Sequence, residues 1–199
     1  MKSELGRPRS FDIDVALDNA LNVFWKHGFQ GASLRDLTDA TGLSKPSLYA
    51  AFGDKRGLYL KTLERYLFLL AEQHAGLLDD EPNGRLAVEV FLRSLAEMFC
   101  NPKMPGGCFI INGAADFGGS AVPGEVESAL RAALKASEKL LRERLERAQR
   151  EGDFSSQASP ADLAMLFCTL IGGLAVQAKS GVTGKKLSVV IDAAMRAWP

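Results

Sequence analysis

Few side chains in this sequence are equipped to bind a metal or attack an electrophile. There are three cysteines and two histidines. Cys100, Cys108 and Cys168 lack metal-type spacing, and His27 and His74 lie far from one another and from the cysteines along the chain. No metal site and no cofactor are expected. Cys108 invites the sharpest reading. It follows Gly106-Gly107 at the expected start of a helix, where the positive dipole end lowers a thiol pKa and exposes the residue to oxidants or electrophiles. The alternative is a small buried hydrophobe, the default for cysteine. An enzyme with Cys108 as nucleophile would need a base. No histidine lies near it in sequence, and no phosphate-cradling glycine motif is present. The expectation is therefore not an enzyme.

A second set of residues suits hydrogen bonding to nucleic acid. Ser44-Lys45-Pro46-Ser47-Leu48-Tyr49 places two short hydroxyls, a cation and a phenol around one buried leucine. Lys45 can neutralise a phosphate or donate to guanine, and Ser44 and Ser47 can meet phosphate or a base edge. Tyr49 can present its hydroxyl outward or pack half-buried.

Two short helices must position these groups. Ser33 caps the first, in the order Ser33-Leu34-Arg35-Asp36 of a capping box. Leu34, Leu37 and Ala40 fall on one face. Gly42 allows the turn, Ser44 caps the second helix, and Pro46 falls in its first turn where no N–H is needed. Apolar faces inward and a small polar face outward describe a helix-turn-helix.

Here the sequence resembles the TetR family of transcriptional regulators. The matching pieces are Phe24-Trp25-Lys26-His27-Gly28-Phe29, Ser33-Leu34-Arg35-Asp36-Leu37, Thr41 through Tyr49, and Phe52-Gly53-Asp54-Lys55. The resemblance implies an all-α fold of about nine helices. An N-terminal three-helix bundle (1–55) carries the helix-turn-helix. A long fourth helix (about 56–78) joins it to a helical effector-binding and dimerisation domain (56–199). It implies that helix three lies in the major groove, with Arg35, Ser44, Lys45, Pro46, Ser47, Tyr49 and Lys55 at the DNA, and Tyr49 and Lys55 on phosphate. Relatives often place bulkier residues after this tyrosine, where the chain has Ala50-Ala51, whose methyls suit a thymine methyl. The last two helices would form a dimer seam through Leu163, Leu170, Gly173, Leu174, Leu187, Val190 and Ile191. A dimer sets its reading helices about 34–36 Å apart and favours a palindromic operator on double-stranded DNA.

The expected function is a repressor released by its effector; the alternatives are a helical protein-interaction module that no longer reads DNA, or a redox-sensing regulator switched at Cys108. Charge gives the DNA reading no help and lends weight to the protein-interaction module. The chain's 24 basic and 24 acidic residues cancel. Residues 1–60 hold eight basic against seven acidic side chains, a net of +1. Placement must carry the case. Arg7 and Arg9 lie in an N-terminal arm, either solvated or able to reach phosphate or the minor groove. No run of about 18 apolar residues indicates a membrane span. No apolar leader follows Met1, so the expectation is a soluble cytoplasmic protein.

The other helices follow from periodicity. Helix one should run from Asp12 to His27, with Gly28 ending it and His27 near that terminus. Helix four carries the stripe Leu60, Leu63, Leu67, Leu70, widened by Tyr59 and Tyr66. Helix five carries Leu86, Val90, Phe91, Leu95, Met98 and Phe99. A short apolar helix spans Cys108–Phe117 and closes at Gly118-Gly119-Ser120. Helix seven spans about Glu125–Arg150, its charged second half a solvated face. Helix eight begins at Ser159-Pro160, and helix nine covers about Lys185–Trp198. The expected effector is small and largely apolar or electrophilic. Its pocket would be walled by Phe91, Leu95, Met98, Phe99, Cys108, Phe109, Met165 and Phe167, with Asn112 and Asp116 orienting its polar end. Plain core packing explains the same apolar residues without a ligand.

Overall fold

A computed structural model describes residues 12–74, 76–118, 122–155 and 157–199. The expectations for Arg7, Arg9 and Gly119-Ser120 lie outside them. The described residues form nine α-helices and no strand, so the all-α expectation holds.

Helix α1 (Ile13–Gly31) starts where the Asp12 carboxylate accepts the N–H of Asp14 at 2.9 Å and of Val15 at 3.3 Å. Gly28, at φ +71°, breaks the helical path at the expected end, and one more turn follows it. Helix α2 (Leu34–Thr41) opens with a complete capping box. Ser33 Oγ accepts from the Asp36 N–H at 3.1 Å, and the Asp36 carboxylate accepts from the Ser33 N–H at 2.9 Å. Gly42, at φ +69°, supplies the left-handed residue the turn requires. Thr41 secures the turn: its hydroxyl donates to the Leu37 carbonyl at 2.7 Å and accepts from the Leu43 N–H at 3.3 Å. Helix α3 (Lys45–Phe52) is capped by Ser44. Leu37 and Leu48 are buried in the core these helices share. Truncating either to alanine should cost about 2–5 kcal/mol.

Helix α4 (Lys55–His74) ends a turn earlier than expected, and Leu78 is buried beyond it in a non-helical turn. Its apolar faces also differ from the expected stripe. Leu58, Tyr59, Thr62, Leu63 and Tyr66 are buried, whereas Leu67 and Phe68 are exposed. The reason is that α4 serves two surroundings. One face packs on α1, while another, with Leu67 and Leu70, lines a cavity. Arg65 clamps the first face, donating to both carboxylate oxygens of Asp18 on α1 at 2.8 and 3.0 Å.

Five further helices follow: α5 (Gly84–Phe99), α6 (Phe109–Ala114), α7 (Gly124–Glu151), α8 (Pro160–Lys179) and α9 (Gly184–Met195). On α5, Leu86 and Val90 are exposed, and Ala87, Val88 and Leu92 take the inner positions. The charged half of α7 is not wholly solvated. Arg144 is buried and donates to the carbonyls of Glu81 at 2.9 Å and Pro82 at 3.2 Å, pinning the turn before α5. Helix α8 is long and apolar enough, by length and composition, to cross a membrane, which the reading of the sequence missed. Its glycines, threonine and glutamine interrupt a strict apolar run without lowering its mean hydropathy far. It packs on α5, α7 and α9, yet leaves Leu166 and Val176 exposed.

Candidate nucleic-acid interface and apolar cavity

The side chains expected at DNA share the outer side of the helix-turn-helix. Ser44, Lys45, Pro46, Ser47 and Tyr49 are all exposed, while Leu48 between them is buried. Ser44 Oγ accepts the Ser47 N–H at 3.3 Å and lies 2.9 Å from Ser47 Oγ, so the two hydroxyls organise one another. The Lys45 ammonium sits 5.7 Å from the Tyr49 ring centroid, a cation–π approach at an exposed site. Arg35 is exposed and paired with Asp39 at 3.6 Å. Such a surface pair is worth at most about 1 kcal/mol, so a phosphate can displace it.

Lys55 departs from the simple picture. It is half-buried, with Nζ 4.9 Å from the Phe29 ring centroid and 3.4 Å from the Gln30 carbonyl. Burial lowers its pKa. At the α4 N-terminus beside it, Asp54 Oδ1 accepts the Gly57 N–H at 2.7 Å, so one of the terminal donors is already taken. That bond holds the Asp54 carboxyl below its usual range, followed by a smaller contribution from Arg56. Arg56 is exposed. It pairs with Glu125 at the start of α7 at 3.3 Å and with Asp54 at 3.5 Å.

Behind this surface lies a cavity of about 620 Å³. Of the expected wall residues, Phe91, Leu95, Phe99, Cys108 and Met165 line it. Met98, Phe109, Asn112, Asp116 and Phe167 do not. Met98 is buried outside the lining, and Phe167 is buried beside Trp198, with ring centroids 6.4 Å apart. Phe109 is enclosed by aromatic neighbours at centroid distances of 5.1 Å to Tyr59, 5.5 Å to Tyr66 and 6.4 Å to Trp25. The amide oxygen of Asn112, turned toward its donors, accepts from Lys179 Nζ at 3.0 Å and shares, at 3.3 Å, the single Trp25 Nε1–H that donates to the Gly106 carbonyl at 3.0 Å. It therefore ties α6 to α8 and α1. Asp116 is exposed beyond the end of α6, near enough to Tyr59 to raise its pKa, though burial is the larger cause.

The lining contains what local sequence reading missed: Tyr66, Leu67, Leu70, Ala71 and His74 from α4, and Leu134, Ser137, Glu138 and Leu141 from α7. The α4 set carries a helical spacing that could have revealed it. The α7 set becomes legible only once the helices are packed together.

Of the two readings of Cys108, the small buried residue and the activated thiol, its surroundings fit the first. It caps a six-residue helix, is buried, and receives a hydrogen bond from the Tyr66 hydroxyl at 3.3 Å. Burial pushes its thiol pKa up, and the hydrogen bonds from Tyr66, Ile111 and Ile110 offset this only in part. Burial likewise raises the thiol of Cys100, and Cys168 is pushed up to about 11 by burial and then by Glu138.

The dimer-seam expectation divides. Leu174, Leu187 and Ile191 are buried in the chain's own core, so they support the α8–α9 surface from beneath. Leu163 and Leu170 are half-buried, and Gly173 and Val190 are exposed. The large apolar side chains exposed on α8 and α9 are Met165, which also lines the cavity, Leu166, Val176, Val189 and Val190.

Comparison with known proteins now bears on this arrangement. Residues 16–62 match the family model for bacterial regulatory proteins of the tetR family. Residues 85–194 match that for the tetracyclin repressor-like C-terminal domain. The chain is 33% identical over 200 residues to the HTH-type transcriptional repressor ComR of Escherichia coli (strain K12), covering 100% of this chain and 94% of ComR. The chain belongs to the TetR family. It is 38% identical over 109 residues to the repressor BdcR of the same organism, covering 54% of this chain and 55% of BdcR. Among solved structures, a cysteine-substituted form of the TetR regulator CifR with 26-bp operator DNA superimposes at a TM-score of 0.88. It shares 38% identity and covers 97% of this chain and 100% of that one. This TetR-family chain is a DNA-binding transcriptional regulator, not an enzyme.

Proposed function

We propose that this regulator is a ligand-responsive repressor that binds a palindromic operator as a homodimer and is released by a small, largely apolar effector. Residues 1–55 form the DNA-binding unit and 56–199 the effector-binding and dimerisation unit, with α4 as connector. Ser44, Lys45, Pro46, Ser47 and Tyr49 face the DNA, Arg35 and Lys55 reach the phosphates, and Lys55 leaves its seat on Phe29 to do so. The exposed apolar residues of α8 and α9 form the seam, which also accounts for the low burial of α8 without a membrane. ComR and BdcR are named as repressors, which favours repression over activation.

One observation carries the effector reading. The cavity shares Tyr66 with the aromatic cluster that locks α4 to α1. Tyr66 meets Trp25 of α1 edge-on at 5.0 Å, and Trp25 Nε1 donates to the Gly106 carbonyl at 3.0 Å, two residues before Cys108. A ligand that displaces Tyr66 or the segment before α6 shifts α1 and α4 together, and with them the spacing of the paired α3 helices. It does so only through its differential affinity for the two arrangements. The test is whether filling the cavity changes operator affinity: an apolar ligand shown to occupy it should weaken operator binding, and occupancy that leaves operator affinity unchanged would refute the coupling.

A second reading rests on the place of Cys108 in the cavity wall. An electrophilic effector held there could alkylate its sulfur, the thiol proton being lost as the carbon–sulfur bond forms. The raised pKa makes this slow unless the cavity first concentrates the reagent. Cys108→Ser should abolish release by N-ethylmaleimide, and persistent release would show that the thiol is not the switch.

A further inference from the structure

Along the cavity, α4 presents Tyr66, Leu70 and His74 at four-residue steps. Eight residues of helix place Tyr66 and His74 about 12 Å apart along its axis. The Tyr66 end is closed, because its hydroxyl is committed to Cys108 Sγ at 3.3 Å. The His74 end is not. His74 is buried, with Phe91 meeting its ring edge-on at 5.7 Å and Nδ1 lying 3.0 Å from Ser94 Oγ on α5. Its other nitrogen, Nε2, is shielded from solvent and has no hydrogen-bond partner among the described residues.

The 3.0 Å contact fits either direction of donation, and the tautomer is assigned from the needs of Ser94. Its hydroxyl has no other hydrogen bond among the described residues, so donation to Nδ1 satisfies both groups. The ring proton then sits on Nε2, a buried donor without an acceptor at the wall of an apolar cavity. Native interiors seldom leave such a group unmatched. The charged residues of the lining, Asp79, Lys135 and Glu138, are exposed or half-exposed, and no lysine or arginine is buried among them. Burial also lowers the His74 pKa, which keeps the imidazole neutral near pH 7. The site therefore offers a hydrogen bond and no compensating buried charge.

We infer that His74 is the polar recognition point of the cavity, and that the effector is an elongated, uncharged, apolar molecule whose oxygen acceptor (a carbonyl, ester or ether) accepts the hydrogen bond of Nε2. The body of that molecule lies along α4 toward Tyr66 and Cys108. This rests on the effector-cavity reading and names the ligand class that reading leaves open.

The test uses the full chain and displacement of an apolar solvatochromic dye. Three probes are compared: methyl decanoate, whose extended acyl chain matches the distance along α4, undecane, which lacks the acceptor, and decanoate, which carries a charge. The ester should compete about five- to tenfold better than undecane or decanoate, the range expected of one buried hydrogen bond. In His74→Leu the advantage over undecane should vanish while undecane and dye bind as before, and His74→Gln, which keeps a donor, should restore part of it. Unchanged operator binding by both variants verifies their folding. Equal competition by ester and hydrocarbon in the unaltered protein, or an ester preference that survives His74→Leu, would overturn the role of His74 and leave the cavity reading standing. Failure of the dye and every probe to bind would overturn the cavity reading itself.

Discussion

Lys45 and Tyr49 are where we propose that this neutral chain meets a polyanion. Their side chains stack on one another at the exposed face of α3, so truncating either disturbs both. Lys45→Ala should weaken operator binding by about 1–3 kcal/mol and reduce the salt slope by about one, read from mobility shifts over a salt series. Tyr49→Ala should weaken binding with the dimer intact. His74 gives a prediction in pH. Its folded pKa is depressed, so below the ordinary histidine value of about 6.5 the unfolded chain binds a proton that the folded chain refuses. Its contribution is complete above that value and is lost as pH falls toward the folded pKa. The melting temperature of His74→Gln should therefore fall less than that of the unaltered protein between about pH 7.5 and 5.5. Cys108 carries the opposite sign. Its thiol is raised, so stability declines as pH climbs past the ordinary thiol range.

Helix limits were largely legible in the sequence because they are written in local chemistry. The Ser33–Asp36 box, Gly42, the Ser44 cap and Ser159-Pro160 each act within a few residues, and each occupies its expected place. Side-chain destinations were less legible. The α4 stripe was misphased because this helix answers to a bundle on one face and a cavity on another. Asn112 and Phe109 read as pocket residues because an apolar helix beside a bend suits a ligand as well as a core. Their actual neighbours, Trp25, Tyr59 and Lys179, lie far away in sequence. The dependence of α6 on that packing can be measured. A Cβ on Gly113 would stand 2.6 Å from Tyr59 Oη and 2.9 Å from Leu130 Cδ1. Gly113→Ala should destabilise the fold by about 1–3 kcal/mol in denaturant unfolding, because α6 cannot approach α4 and α7 as closely.

At the scale of the molecule, the proposed coupling runs through α1 and α4 and the proposed assembly through α8 and α9. Leu166, Val176, Val189 and Val190 leave an apolar surface on α8 and α9 that a second copy would cover. Val190→Glu should yield monomers by sedimentation while leaving the core unaltered, since Leu187 and Ile191 beneath it stay buried. Operator affinity should fall with it, because two half-sites are then bound independently. The measurement that tests the account most directly is footprinting of the full chain on DNA upstream of its own gene, and on DNA selected from random sequence, across a salt series. The account predicts a protected palindrome with half-sites one helical turn or a multiple apart and affinity that falls as salt rises. Protection of a single half-site, or no protected sequence after selection, would contradict it.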